Sequence, residues 1–146
     1  MRRIYIAGIL ALIGCLLSSA GWACQVVATG IAFGVYETIA PSMVVGTGTI
    51  RLTCPQPAVI RLSAGLHSQG EFSHRTLQAD TDATQLRYNL YLDPTALRVW
   101  GDGAANTFVQ QVPAGTSNLT IYAVVPDGQR VSPGVLNDMI TVIAEW

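Results

Sequence analysis

The sequence predicts an all-β domain of the sandwich class, and three observations carry that prediction. Apolar and polar side chains alternate with a period of two through most of the chain. The alternating runs are short and separated by turns rich in proline and glycine, and beyond the amino-terminal leader no segment shows ten or more residues of helical period. Seven or so short strands spaced in this way fit two packed antiparallel sheets better than βαβ units, with a closed barrel as the remaining all-β option.

The leader comes first. Met1, Arg2 and Arg3 make a cationic start, residues 4–17 are almost unbroken apolar, and Gly21 and Ala23 supply the small side chains that a signal peptidase accepts. The apolar run is shorter than the roughly 20 residues needed to span a bilayer. We therefore expect a signal peptide over residues 1–23, cleavage after Ala23, and a single domain over residues 24–146 with no membrane span once the signal is removed. LIGC at Cys15 loosely resembles a lipoprotein cleavage site, but Leu16 and Leu17 continue the signal core. Cys24 and Cys54 remain after cleavage, and an even pair in an exported chain reads as a disulfide.

Strands follow in order. At 49–54, Ile50, Leu52 and Cys54 alternate with Thr49, Arg51 and Thr53; at 85–93, Leu86, Tyr88, Leu90 and Leu92 alternate with Gln85, Arg87, Asn89 and Tyr91. The same period appears at 59–63, 119–125 and 139–146, and shorter strands are expected at 25–36, 97–100 and 107–112. Pro41, Pro55, Pro57, Pro94, Pro113, Pro126 and Pro133 all fall between the clearly alternating runs, where a missing N–H does no harm to a ladder. Gly101-Asp102-Gly103, Pro113-Ala114-Gly115 and Pro126-Asp127-Gly128 are turn signals. Gly46-Thr47-Gly48 is expected to be a turn as well, since it lacks the strand–loop–helix setting in which glycines cradle phosphate.

Charge is sparse. After residue 23 the chain has six arginines, nine acidic residues and no lysine, a formal charge of −3. A mildly acidic chain without a basic cluster is a poor nucleic-acid binder, because phosphate neutralisation supplies most of that affinity. So apolar a chain also implies that some of its surface is covered by a partner.

Candidate chemistry is thin. His67, Glu71 and His74 share one loop, but their spacing matches neither a metalloprotease pair nor a finger, and Asp80 with Asp82 is only a fragment of a calcium loop. Ser63, Ser68 and Ser73 lie near the histidines without an elbow motif. We expect no catalytic residues, no metal and no cofactor. A self-contained secreted sandwich binding carbohydrate or another small ligand through its loops is the alternative; Trp100 and Tyr91 would be its aromatic platforms, although both read better as packing residues.

Several motifs taken together resemble a known family. CQVVATGIAFGVY, GTIRLTC, VIRLSAG, the pair Arg75 and Leu77, LRYNLYLD and RVWGDG are similar to the spore coat protein U-like domain, the subunit of archaic (Csu-type) chaperone–usher pili. PGVLNDMITVIAEW resembles the family's last strand, with Val135 and Leu136 where an aromatic is commoner. The resemblance implies an incomplete immunoglobulin-like β-sandwich lacking its last strand. A periplasmic pilus chaperone fills the groove so left, and at an outer-membrane usher the amino-terminal segment of the next pilus subunit replaces it. It also implies an exported protein that passes through the periplasm to the cell surface and supports adhesion and biofilm formation. The terminal strand would line the groove through Ile140, Val142 and Ala144 or through Met139, Thr141 and Ile143, and the carboxylate of Trp146 would dock in the chaperone. One departure stands out: the expected cleavage puts Cys24 at the mature start, where polymerising subunits carry a donor segment, so the chain is expected to accept a strand without giving one, at a fibre end or as a minor subunit, unless cleavage falls earlier; the repeating shaft position is the one this departure disfavours.

Overall fold

The computed structural model describes residues 22–37, 39 and 42–146; the expected signal peptide therefore lies outside the described residues except for Trp22 and Ala23. The described residues form nine strands: β1 (Gln25–Ala28), β2 (Val44–Cys54), β3 (Ala58–Leu62), β4 (Arg75–Ala79), β5 (Gln85–Tyr91), β6 (Gln110–Val112), β7 (Gly115–Val125), β8 (Leu136–Asn137) and β9 (Val142–Glu145). They form a six-stranded sheet in the order β1-β2-β7-β5-β4-β8 and a three-stranded sheet in the order β6-β3-β9. Every ladder is antiparallel.

The alternation that predicts the strands also makes the core. Along β2, Ile50, Leu52 and Cys54 are buried while Thr49, Arg51 and Thr53 are exposed, and β7 sets Ile121, Ala123 and Val125 inward in the same way. Ile60 and Leu62 of β3, with Val112 of β6 and Ala144 of β9, face them from the smaller sheet, and Trp100 is wholly buried within this cluster. The indole needs a partner when buried, and Trp100 Nε1 donates to the Ile60 carbonyl at 3.1 Å.

Cys24 and Cys54 form the expected disulfide, which ties the start of β1 to the end of β2. The bridge spans 30 residues, and in the chain-entropy account a loop of that size contributes about 3–4 kcal/mol. Replacing both cysteines by alanine should lower the unfolding free energy by about that amount, measured by urea titration, and added reductant should reproduce the loss in the parent chain.

Four expectations need correction. The strand expected over 25–36 stops at Ala28, because no neighbouring strand offers the following residues a ladder. Gly46-Thr47-Gly48 is no turn but lies inside β2, which begins at Val44. A Cβ on Gly48 would stand 2.7 Å from Ile31 Cγ1, so these glycines let the segment after β1 cross closely over the strand. The strand expected at 97–100 reduces to isolated bridges, Tyr91 with Val99 and Trp100 with Phe108, and that expected over 107–112 keeps only its end as β6, with the Trp100–Phe108 bridge before it. Finally, β4 and β8 were not predicted. β4 reads RTLQA yet buries Arg75 and Thr76, so its polar residues point where a sequence pattern expects apolar ones.

Candidate functional site

Among the described residues β9 pairs with a strand on one side. Its partner is β3, with Ile143 opposite Arg61 and Val142 opposite Leu62. The Ser63 amide donates to the Thr141 carbonyl at 3.0 Å and the Thr141 amide donates to Ser63 Oγ at 2.9 Å. Backbone groups alternate in direction along an antiparallel strand. Those of Val142 and Ala144 therefore point away from β3, and among the described residues no strand meets them there.

Across a gap from this edge lies the segment that follows β1. Residues 30–35 form no backbone hydrogen bond with another described residue. The segment runs from the disulfide end, where β1 begins, to Pro126, whose carbonyl accepts a hydrogen bond from the Tyr36 hydroxyl at 3.1 Å. β9 runs the opposite way, since Asp138 touches Tyr88 near one end while Trp146 Nε1 donates to the Trp22 carbonyl at 3.0 Å near the other. Two antiparallel edges thus face one another across a cleft of about 830 Å³.

The floor of this cleft is apolar. Leu77, Leu86, Tyr88, Leu90, Ile121 and Val125 rise from the larger sheet, and Ile140 and Val142 line the side formed by the terminal segment. The structure therefore distinguishes the two faces that the sequence left open. Ile140 and Val142 face the cleft and Ala144 continues the same face into the core, whereas Met139 is 69% exposed. Ile143 and Trp146 are half-buried and do not line the cleft.

A polar network fixes the far end of the cleft. Asp138 accepts from the Tyr88 hydroxyl at 2.7 Å and from the amides of Leu66 and Met139, each at 2.8 Å. Gly65, at φ 99°, leaves room for that carboxylate, since a Cβ there would stand 2.2 Å from Asp138 Oδ2. Beside it Arg75 is fully buried. Its guanidinium donates to the Ser63 carbonyl (2.8 and 3.1 Å), the Trp100 carbonyl (2.7 Å) and Asn89 Oδ1 (2.6 Å). Arg75, Asn89 and Asp138 were not singled out for this role by sequence; the resemblance placed Arg75 in a motif, but nothing in its spacing reveals that it is buried.

Burial raises Tyr88 well above the usual phenol range, aided by its bond to Asp138 and by that residue's charge; Tyr91 is raised too, and burial lowers Arg75 to about 10. A tyrosine raised in the folded state contributes stability that is complete below its unfolded value of 10.0 and is lost as pH rises through the folded value. Tyr88 costs about 1.4 kcal/mol per pH unit in that window, and the more exposed Tyr91 adds less because solvent screens it. Urea midpoints should accordingly fall above pH 10, and the fall should be shallower in Tyr88→Phe.

The other sequence candidates do not converge. His74 Nδ1 lies 3.2 Å from Ser73 Oγ, Ser68 Oγ accepts from the Thr76 amide at 3.0 Å, and Asp80 accepts from Asn137 at 3.1 Å. Among the described residues no three histidine, cysteine or acidic side chains group as metal ligands. Trp100 is not exposed and cannot serve as a platform, which corrects that part of the carbohydrate alternative.

Comparison with known proteins places the chain. The model of the Spore Coat Protein U domain matches residues 14–143. The chain belongs to the Spore Coat Protein U domain family. Among curated relatives, Protein U of Myxococcus xanthus is 31% identical over 124 residues, covering 77% of this chain and 68% of that protein. Among solved structures, a chaperone–tip adhesion subunit pre-assembly complex, CsuC-CsuE, from the archaic chaperone-usher Csu pili of Acinetobacter baumannii, matches with a TM-score of 0.57 at 20% identity. That match covers 85% of this chain but only 40% of the matched one, and at this identity it shows a shared fold. The spore coat domain is thus an all-β sandwich whose cleft lies between the segment after β1 and β9.

Proposed function

We propose that this spore coat domain is the structural subunit of an extracellular chaperone–usher pilus, joined to its neighbours by strand addition. One observation carries the reading: two antiparallel backbone edges face each other across an apolar cleft, and residues 30–35 on one side and Val142 with Ala144 on the other have backbone groups without a ladder partner among the described residues. A single extended strand laid between them pairs with both, and its alternate side chains reach Leu86, Tyr88 and Ile121 on the floor. Because the edges are antiparallel, the strand runs parallel to one and antiparallel to the other; the antiparallel match to β9 is the more stable per residue. Likeness to the chaperone–subunit complex of the Csu pilus supports the partners: a periplasmic chaperone that fills the cleft first, an outer-membrane usher, and a further subunit that replaces the chaperone. Export by the amino-terminal signal, passage through the periplasm and display on the cell surface, in adhesion and biofilm formation, follow from that role. The protein acts by binding and not by catalysis, with no cofactor.

Expression of residues 24–146 in the periplasm, with and without a chaperone of this class, tests the reading. A soluble complex with the chaperone is expected, and without it a marginally stable chain that tends to aggregate; a monomer made alone that melts as high as the chaperone-bound chain would sink the proposal. His67→Ala with His74→Ala should leave complex formation unchanged.

A further inference from the structure

We infer that Tyr36, acting with Gln129, is a positioning residue that holds residues 30–35 across the cleft from β9 and so keeps the cleft open before a strand arrives. The inference rests on the strand-accepting reading above. Residues 30–35 are held at both ends. At the near end the Thr29 amide donates to the Thr49 carbonyl, and the Thr49 amide donates to Thr29 Oγ1, each at 2.9 Å. At the far end the Tyr36 hydroxyl donates to the Pro126 carbonyl at 3.1 Å and accepts from the Gln129 amide at 2.9 Å.

Gln129 is in turn built into the larger sheet. The register that pairs Asn89 with Val124 brings Arg87 opposite Pro126, which has no N–H to offer. The Gln129 carboxamide takes that place: its oxygen accepts from the Arg87 amide at 2.8 Å and its nitrogen donates to the Arg87 carbonyl at 2.9 Å. Tyr36 is therefore tied, through the main-chain amide of a residue whose side chain completes the β5 ladder, to a strand that forms the floor of the cleft.

The tie opposes a hydrophobic pull. Ile31 rests over Gly46 and Gly48, and Phe33 meets the Tyr88 ring edge-on at 5.6 Å between centroids. Both side chains gain by sinking further onto the floor, and among the described residues no backbone ladder holds the segment between them. With the far end pinned at Pro126, sinking is resisted and the backbone stays presented to the cleft.

The test uses the full chain carrying an additional strand of alternating valine and threonine, joined after Trp146 by a short turn so that it folds back along β9. Amide hydrogen exchange is then read at two places, residues 30–35 and the outward amides of Val142 and Ala144. Both should be slow in this chain. Tyr36→Phe keeps the ring and removes only the hydroxyl, worth about tenfold in a local opening equilibrium; protection within 30–35 should fall by about that factor while that of Val142 and Ala144 holds. Gln129→Leu should split the two edges in the same way, whereas general destabilisation would lower both together. Unchanged protection of 30–35 in both variants, or a parallel loss at both edges, overturns the positioning role and leaves strand acceptance intact. Fast exchange at both edges in the unsubstituted chain overturns strand acceptance, and this inference with it.

Discussion

Arg75→Leu is expected to destabilise the domain by about 3–5 kcal/mol, close to the whole stability of a marginal domain. The guanidinium is fully buried and, among the described residues, has no carboxylate within ion-pair distance. Carbonyl and amide oxygens take all its bonds: Ser63, Trp100 and Asn89 Oδ1. Removing the side chain leaves the Ser63 and Trp100 carbonyls facing an apolar interior, while Asn89 Oδ1 keeps the Leu90 amide at 3.0 Å, and each buried acceptor without a donor costs about 1–3 kcal/mol. Part of that cost is returned, because the charge itself is expensive to bury, as its lowered proton affinity indicates. Leucine also abandons the packing of the guanidinium over Phe72, 5.4 Å from the ring centroid. Arg75→Lys retains the charge but replaces a planar fork with a single nitrogen, which cannot address acceptors from three separate segments. Most of the loss should persist, and urea unfolding of the chain with the added strand is the measurement. A lysine variant within 1 kcal/mol of the parent (roughly one hydrogen bond's worth) would show that the fork geometry is dispensable.

The added strand itself should raise the melting temperature by on the order of 10 °C or more. Four or five inward apolar side chains contribute about 1.5–3 kcal/mol each, offset by about 1–2 kcal/mol of ordering entropy for each residue fixed but supplemented by two new ladders. A net gain of a few kcal/mol moves the transition of a domain this size by about 3–5 °C for each kcal/mol. Aspartate at an inward position of the added strand, or Ile140→Asp or Val142→Asp on the receiving side, should abolish most of the shift, because an unpaired carboxylate would be buried in the cleft. Met139→Asp is the control. Met139 lies on the exposed face of the same segment, so the shift should survive. Calorimetry of these five chains beside the chain without the added strand separates a specific cleft from general greasiness; equal losses from Met139→Asp and Ile140→Asp would refute the facing assigned to this segment.

Much of the architecture is legible in the sequence because period-two alternation and strand burial have one cause: successive side chains leave opposite faces of a sheet. Residues 49–54 and 119–125 lie within β2 and β7, the two longest strands, and Cys24 with Cys54 needed only export and an even count. Where the alternation fails, the reading fails with it. Arg75 and Thr76 are polar and buried, so β4 was hidden; Gly46 and Gly48 resemble a turn, and only the crossing of Ile31 over them explains why they stand inside a strand.

The cleft shows the same division more sharply. The pattern of residues 139–146 announces a strand and identifies two alternate faces, and those eight residues alone could present either. The choice of Ile140 and Val142 as the inward pair comes from β3, whose register places Leu62 opposite Val142, and from Asp138, which binds Tyr88 and the Leu66 amide. Likewise, no local pattern in ATGIAFGVYE says that residues 30–35 forgo a ladder; that follows from where β2, β7 and the Pro126 turn leave them. Local sequence sets which residues are able to form strands, through backbone geometry and side-chain alternation. Which strand edges end without a partner is decided by the packing of elements far apart in the chain.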